Sequence, residues 1–276
     1  MLFPFMRGAA ALAFAAVALT MAATAHADMA KIRQSGSLKV AVYKDMAPFS
    51  SAEGGIDVDI ADALAKKLGL KLALLPFSAG EEVGDDLRNM VWKGHYLGYG
   101  PADLMLHVPV DRRLIAQQDK VEIFAPYYRE TVRLVRSIEA VPRYDGLDAM
   151  LGKDIGVEKV SIAAVLLLGE GGSKFRDHVR IYPTAVEALQ DLKAGKLAGV
   201  LAHRSEIESV VGADSRFEVQ QVQFQRLPAR GWVVGMAVRK DARDLAEVLR
   251  QAAAELTASG EMARIFAKHG VQPVAP

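Results

Sequence analysis

Two histidines and three arginines are the side chains best suited to recognise a small polar molecule. His107 precedes Arg112 and Arg113, and His203 directly precedes Arg204. A guanidinium group can hold a carboxylate through two parallel hydrogen bonds. The His203–Arg204 pair therefore indicates an anionic or neutral polar ligand, and Arg112 or Arg113 can reach a ligand carboxylate. The alternative for Arg112 and Arg113 is a pair of solvated surface arginines.

The same histidines do not match a catalytic or metal-binding pattern. His107 and His203 can be drawn with Asp103 or Glu158 as an acid–base pair or as a metal site. However, the chain has no His-x-x-x-His spacing, no Gly-x-Ser-x-Gly, no phosphate loop, no dinucleotide fingerprint and no cysteine. Lone histidines near strand ends are more often structural. The sequence predicts a protein that is not an enzyme and has no cofactor or metal.

The elements that must position these residues alternate between strand-like and helix-like segments, which predicts an α/β fold. An apolar strand over 38–42 and a loop over 43–51 precede a helix in the segment 54–69. We expect Asp57 at the N-cap and Gly69 at the C-cap of this helix. Farther along, Thr184 and Glu187 have the spacing of a capping box.

Two long β-rich stretches bracket the middle of the chain. They cover residues 130–136 and 231–239, and the block between them has its own strands and helices. Two crossings between two lobes would explain this pattern, although a single larger sheet would also fit it.

The first 27 residues have the composition of a secretion signal. Arg7 precedes an apolar run over 9–23, and Ala25-His26-Ala27 fits a small-x-small cleavage site. The alternative is a membrane anchor. Without this segment the basic residues fall from 34 to 33 and equal the 33 acidic ones, so the net charge is zero. This balance gives no electrostatic reason to expect binding to nucleic acid or to an anionic membrane.

Six short motifs along the chain resemble those of the extracellular solute-binding proteins of family 3, which serve polar amino acid uptake. They occur in the family's order, at residues 54–69, 124–128, 154–157, 186–189, 195 and 260–270.

The resemblance implies the two-lobed α/β fold of type II periplasmic binding proteins, with two β crossings at the hinge. Residues 1–27 would be the signal peptide, residues 28–131 and 231–276 lobe 1, and residues 132–230 lobe 2. The resemblance also implies a periplasmic protein that closes on a small solute and then docks on an ABC permease in the inner membrane.

The chain departs from the family where amino acid binders hold their ligand. Asp103 matches the family's strand Asp, but the Thr-x-x-Arg turn that should follow is missing, and Arg112 or Arg113 would have to replace its arginine. In lobe 2 the family's second Asp, which pairs with the ligand's amine, aligns with His203. By this comparison no acid remains for an α-ammonium group, and burying such a group without a partner is costly. The departures therefore predict a polar or anionic solute rather than a standard amino acid.

Three further site residues follow from the resemblance. Ser161 opens a helix whose free N–H groups and dipole would hold a ligand carboxylate, with plain capping as the alternative. Tyr43 and Phe49 occupy positions of an aromatic shelf in the cleft, with packing under the loop as the alternative. The predicted ligand-binding set is Tyr43, Phe49, His107, Arg112, Arg113, Ser161, His203 and Arg204.

Some motifs are closer to a subset of this family, the accessory proteins of periplasmic quinoprotein (PQQ) alcohol dehydrogenases. These motifs are Asp103-Leu104-Met105 and Pro126-Tyr127-Tyr128-Arg129. The resemblance implies a second possible function, contact with the dehydrogenase and its cytochrome c partner without solute transport. Trp92, Tyr96 and Tyr99 would suit such a contact, since aromatic residues anchor interfaces. Core packing is the alternative for Trp92, and the loop over 95–101 can cover either the cleft or a partner surface.

Overall fold

The computed structural model describes residues 27–225, 227–228 and 230–276. The predicted signal peptide therefore lies outside the described residues, apart from Ala27. Ten strands are present in this part of the chain: β1 Ser37–Tyr43, β2 Lys71–Phe77, β3 Leu104–Pro109, β4 Val121–Glu130, β5 Val132–Ser137, β6 Ile155–Glu158, β7 Val179–Tyr182, β8 Gly199–His203, β9 Phe217–Gln221 and β10 Trp232–Arg239.

The α-helices of the described residues surround these strands. They are α1 Ala27–Ser35, α2 Ile56–Lys67, α3 Val83–Leu87, α4 Arg112–Ala116, α5 Ile162–Gly169, α6 Ala185–Lys193, α7 Arg204–Val211, α8 Arg243–Ala258 and α9 Glu261–Lys268. Helix α3 is continued by a π-helical turn over Arg88–Trp92. None of these helices combines the length and the apolar composition needed to cross a bilayer.

The strands form two separate five-stranded sheets and not the single larger sheet that the sequence also allowed. Sheet 1 has the order β2-β1-β3-β10-β4, and sheet 2 has the order β7-β6-β8-β5-β9. In each sheet the first three strands are parallel, while β10 and β4 in sheet 1 and β5 and β9 in sheet 2 add antiparallel pairs. Each sheet has buried apolar clusters of its own, so the chain forms two α/β lobes.

The chain crosses between the lobes at two places. β4 ends at Glu130 in sheet 1 and β5 begins at Val132 in sheet 2. The return runs from Gln221 at the end of β9 to Trp232 at the start of β10. The β-rich stretch over 130–136 is therefore not one strand but the meeting of two strands from different sheets.

The carboxyl ends of the parallel strands face the crossings in both lobes. Val234 of β10 pairs with Pro109 at the end of β3, and Val132 of β5 pairs with His203 at the end of β8. Ligands of open α/β sheets bind beyond the carboxyl ends of the strands. The groove between the lobes is thus bordered by the ends of β1, β2 and β3 on one side and of β6, β7 and β8 on the other.

Helix α7 of lobe 2 is also hydrogen-bonded to lobe 1. The Arg204 N–H donates to the Thr131 carbonyl at 2.9 Å, and the Ser205 hydroxyl donates to the Glu130 carboxylate. At the other end of the chain, the Gln272 N–H donates to Glu208 Oε2 at 2.8 Å. The first turn of α7 and the C-terminal tail therefore join the lobes in addition to the two crossings.

The loop over 94–101 does not border the groove. It leads into the start of β3, where the Asp103 N–H donates to the Lys39 carbonyl near the start of β1. This is the edge of lobe 1 opposite the carboxyl ends of the strands. The His95 and Tyr99 rings stack at 4.2 Å, while Tyr96 at the tip is 88% exposed. Asp103 lies at the same edge, so it cannot pair with His107 or His203 in an acid–base or metal site.

Of the capping box predicted at α6, the Thr184 half is present, whereas the Glu187 carboxylate meets the Thr184 hydroxyl and not its backbone N–H. The Thr184 hydroxyl accepts the Glu187 N–H at 3.2 Å and contacts Glu187 Oε1 at 3.2 Å. We expect Thr184→Ala to lower the free energy of unfolding by about 1 kcal/mol, because it leaves an N–H of the first turn without its partner. Urea unfolding followed by circular dichroism measures the change. Glu187→Gln keeps the Thr184 cap and should cost less; an equal loss in both variants would contradict a specific role for the Thr184 cap.

Candidate functional site

The lobe 1 wall of the groove is built around the buried carboxylate of Asp57. Helix α2 begins at Ile56 with Gly55 as its N-cap, so the prediction that Asp57 is the N-cap is wrong. Asp57 lies one residue inside the helix, and its side chain reaches across to two other elements. Its Oδ1 accepts the Tyr127 hydroxyl of β4 at 2.6 Å, and its Oδ2 is 3.1 Å from Nδ1 of His107.

The close approach of two backbone segments explains why α2 begins at Ile56. A Cβ on Gly55 would lie 2.2 Å from the carbonyl oxygen of Phe49, so only glycine fits at this N-cap. The N–H groups of Ile56 and Asp57 donate to the carbonyls of Pro48 and Phe49. The loop after β1 is therefore fastened to the first turn of α2.

Tyr43 and Phe49 pack inside lobe 1 and do not form a shelf in the groove. Tyr43 donates to Asp86 at 3.0 Å and its ring lies 4.6 Å from that of Phe77. Burial and the nearby Asp86 carboxylate raise the pKa of Tyr43 far above its usual range. Phe49 is buried against His107, Tyr128 and Phe266. Both rings are therefore packed inside the lobe, which was the alternative to the predicted aromatic shelf.

Arg112 and Arg113 lie at the groove end of lobe 1, immediately after β3. The Asp111 carboxylate caps the short helix α4 by accepting the N–H groups of Arg113 and Leu114, each at 2.9 Å. Both arginine side chains are exposed, and neither guanidinium has a hydrogen-bond or salt-bridge partner within the described part of the chain. This position leaves them available to a ligand anion; the role itself stays a prediction.

In lobe 2, His203 ends β8 and begins α7. Its N–H donates to Glu206 Oε2 at 2.8 Å, and its Nδ1 is 3.3 Å from the same oxygen. Burial of the ring works against a charged imidazole, but the carboxylates of Glu206, Glu130 and Glu158 outweigh it and raise the pKa of His203 to about 9. The acids of its own lobe and of the crossing therefore favour the charged form of the His203 ring.

The acids around His203 were missed by the position-by-position comparison of the sequence. Glu158 ends β6, the strand next to β8, and is half-buried at the groove. Burial and the neighbouring Glu206 raise the pKa of Glu158. An acid therefore lies at this end of sheet 2, on the strand next to β8, where the comparison by position found none.

Glu130 is the buried member of this acidic group. It is 2% exposed, accepts the Ser205 hydroxyl and the Thr131 N–H, and lies at the crossing between the lobes. Burial raises its pKa, while His203 and the Ser205 hydroxyl oppose this. Glu130 is thus committed to the hinge and is not a ligand group.

Ser161 and Arg204 have partners inside lobe 2. The Ser161 hydroxyl caps α5 by accepting the Ala164 N–H at 3.1 Å, and it donates to the Glu158 carbonyl at 2.7 Å. This is the capping role that was the alternative for Ser161, and it fixes α5 relative to the end of β6. Arg204 Nε donates to Glu208 one turn along α7. Its guanidinium is therefore partly engaged, in contrast to Arg112.

A cavity of about 380 Å³ adjoins the two crossings. None of the predicted ligand residues lines it. Its lining residues are Thr131, Val132, Arg133, Glu170, Gln221, Val222, Gln223, Phe224, Gln225, Leu227, Pro228 and Gly231. The residues with chemistry at the strand ends thus border an open groove and not this cavity. Among the described residues, no three His, Asp or Glu side chains are grouped so that they could hold a metal ion.

The architecture is shared with several solved structures. An amino acid ABC transporter substrate-binding protein from Streptococcus pneumoniae bound to L-arginine is 22% identical, with a TM-score of 0.61 over 89% of this chain and 99% of that one. A polar amino acid uptake protein from Streptococcus thermophilus is 20% identical, with a TM-score of 0.63 over 89% and 90%. An ancestral cationic amino acid solute-binding protein is 18% identical, with a TM-score of 0.67 over 88% and 99%.

These likenesses identify the fold. The chain has the two-lobed α/β fold of type II periplasmic binding proteins, as the resemblance predicted. No family model and no curated protein matches the sequence. The three structures are of binding proteins, and at these identities they characterise the scaffold only.

Proposed function

We propose that the protein is the periplasmic solute-binding component of an ABC importer and that it binds a polar amino acid between its lobes. The observation that carries this proposal is the pair of opposite charges at the two sides of the groove. Lobe 1 presents Arg112 and Arg113, whose guanidinium groups have no partner among the described residues, and lobe 2 presents Glu158 beside the start of α5. A zwitterion matches this arrangement, with its carboxylate on the arginines and its ammonium group on Glu158.

The fold supports this ligand position. Closure about the two crossings would bring the ends of β3 and β6 together on a solute, so that both charged groups contact it only in the closed form. The named ligands of the similar structures are amino acids, which agrees with a zwitterion; the sequence led us to expect a polar or anionic solute other than a standard amino acid. Export to the periplasm and delivery to a permease complete the proposal.

The test is a thermal-shift screen of amino acids, organic acids and amines, followed by calorimetry. A ligand that binds only the folded protein raises its stability by RT ln(1 + [L]/Kd). We expect an amino acid to give the largest shift and Arg112→Ala or Glu158→Gln to weaken its binding roughly 10- to 100-fold, the worth of one charged hydrogen bond. Arg143→Ala and Glu139→Gln, at exposed positions of lobe 2, serve as matched controls. The proposal fails if no amino acid shifts the melting temperature, or if the controls weaken binding as much as the groove variants.

A second candidate function has one observation in its favour. Tyr96 and Leu97 are 88% and 67% exposed at the tip of an ordered loop, on the edge of lobe 1 away from the groove. An exposed aromatic tip suits the protein contact predicted for an accessory protein of a quinoprotein dehydrogenase. Co-purification of such a dehydrogenase or its cytochrome c with the wild-type protein, lost in Tyr96→Ser, would support this role. Its absence in both would leave only the importer role.

A further inference from the structure

The buried carboxylate of Asp57 links three elements of lobe 1. It is 1% exposed and belongs to α2, while its partners Tyr127 and His107 belong to β4 and β3. An ionised carboxylate is buried at high cost unless both of its oxygens are hydrogen-bonded. Here one oxygen accepts the Tyr127 hydroxyl and the other contacts the His107 ring. Both oxygens of the buried acid therefore have a partner.

These contacts determine which nitrogen of His107 carries the proton. An ionised carboxylate only accepts hydrogen bonds, so Nδ1 of His107 must be the donor to Asp57. The Tyr127 hydroxyl donates to Asp57 and accepts the His107 backbone N–H at 2.9 Å. Both the ring and the backbone of His107 are therefore fixed by the same two side chains, and the neutral ring has its lone pair on Nε2.

The free nitrogen lies at the groove end of β3. Nε2 of His107 has no hydrogen-bond partner in the described part of the chain. The fully buried side-chain atoms that lack a partner there are the Tyr128 hydroxyl and Arg136 Nε. Since His107 Nε2 is not one of them, this nitrogen is not fully buried. The His107 side chain is 11% exposed, so a small part of it is accessible to solvent.

The backbone at His107 is strained. Its φ is +61°, in the left-handed region that non-glycine residues rarely adopt. Strain of this kind persists where the surroundings hold it in place, and it concentrates at ligand-binding positions. At His107 the hydrogen bond from its N–H to Tyr127 and the ring contact to Asp57 provide that hold.

We propose that Asp57 is a positioning residue that holds His107 as the Nδ1–H tautomer, with Nε2 as an acceptor for a donor group of the bound solute, while Tyr127 fixes the Asp57 carboxylate and the His107 backbone. The tautomer is argued from lobe 1 alone, whereas the contact with a solute rests on the proposed function. If Glu158 binds the ammonium group of the solute and Arg112 binds its carboxylate, the donor that remains for Nε2 of His107 belongs to the side chain of the solute. The inferred solute is an amino acid whose side chain ends in an N–H or O–H group.

The tautomer is tested by long-range ¹H–¹⁵N correlation spectra of the full-length protein, at a pH where the ring is neutral. Comparison with His107→Gln identifies the signals of His107 among the six histidines. We expect a protonated Nδ1 in the wild type and in Tyr127→Phe, which keeps the carboxylate. Asp57→Asn offers an amide donor to Nδ1, so the proton should move to Nε2. A wild-type ring protonated at Nε2 overturns the proposal, even if Asp57→Asn does not fold.

The solute contact is tested with two probes that differ in the side-chain donor, L-arginine and L-norleucine. We expect the wild type to prefer L-arginine and Asp57→Asn to lose about tenfold in affinity for it, with L-norleucine unaffected. Equal binding of both probes by the wild type would overturn the donor contact. If neither probe nor any other amino acid binds, the proposed function fails, while the spectra still decide whether Asp57 sets the tautomer of His107.

Discussion

Gly231→Ala is expected to lower the free energy of unfolding by about 2–4 kcal/mol, since it combines two kinds of strain. Gly231 has a φ of +68°, which alanine adopts only at a cost. In addition, a Cβ at this position would lie 1.8 Å from the carbonyl oxygen of Glu130. That atom belongs to the backbone of the other crossing and cannot rotate away. The change therefore forces the two crossings apart at the hinge.

The matched control for this variant is Gly195→Ala. Gly195 has a similar φ of +77°, but nothing lies within 4 Å of a Cβ built there. Its replacement should cost only the conformational strain, about 1–2 kcal/mol. Urea unfolding followed by tryptophan fluorescence compares the two. Equal losses would mean that the crossings separate without cost and that their close packing does not stabilise the hinge.

The second large effect is expected from pH. The pKa of His203 is raised to about 9 by Glu206, Glu130 and Glu158, against the effect of its burial. The folded state therefore holds a proton that the unfolded chain releases near pH 6.5. This contribution to stability is fully present below pH 6.5 and is lost as the pH rises through about 9. We expect the free energy of unfolding to fall by about 1–3 kcal/mol over this interval, because the ring is 32% exposed and solvent screens part of the attraction.

The pH dependence is attributed to His203 by substitution. His203→Gln should remove the fall in stability between pH 6.5 and 9, while His178→Gln, at a half-exposed position away from the crossings, should keep it. Urea titrations at closely spaced pH values supply the free energies. A wild-type stability that is flat across this interval would contradict the charged state of His203.

The fold could be predicted from the sequence because its signals are local. The strand over 38–42, the apolar stripe of α2, the capping box at Thr184 and the two β-rich stretches all depend on residues within one or two turns of each other. These features locate the elements. They do not determine whether one sheet or two results, because pairing depends on partners far apart in the chain. The ordered motifs of the family resemblance supplied that missing information.

The site could be predicted only in part, because its contacts are long-range. Asp57 is an N-cap candidate by local pattern, yet its partner His107 lies fifty residues away on another element. Glu158 was considered beside the histidines for an acid–base pair or a metal site but not as a partner for a ligand ammonium group, because the family's acid was sought at the position of His203 itself. The parallel pairing of β6 with β8 brings Glu158 to the same end of sheet 2. An acid at a strand end directly before a capped helix was the one signal in the sequence that pointed to it.

The position of β10 in sheet 1 determines the order in which the two sheets can be completed. All five strands of sheet 2 come from one uninterrupted segment, from Val132 to Gln221. In sheet 1, by contrast, β10 lies between β3 and β4 and pairs with both of them. Sheet 1, in the lobe that carries Arg112 and His107, therefore stays incomplete until β10, the last of the described strands, has been synthesised. The strands that carry Glu158 and His203 can therefore pair within one continuous segment. The sheet that carries His107 is complete only after the chain has been synthesised as far as Arg239.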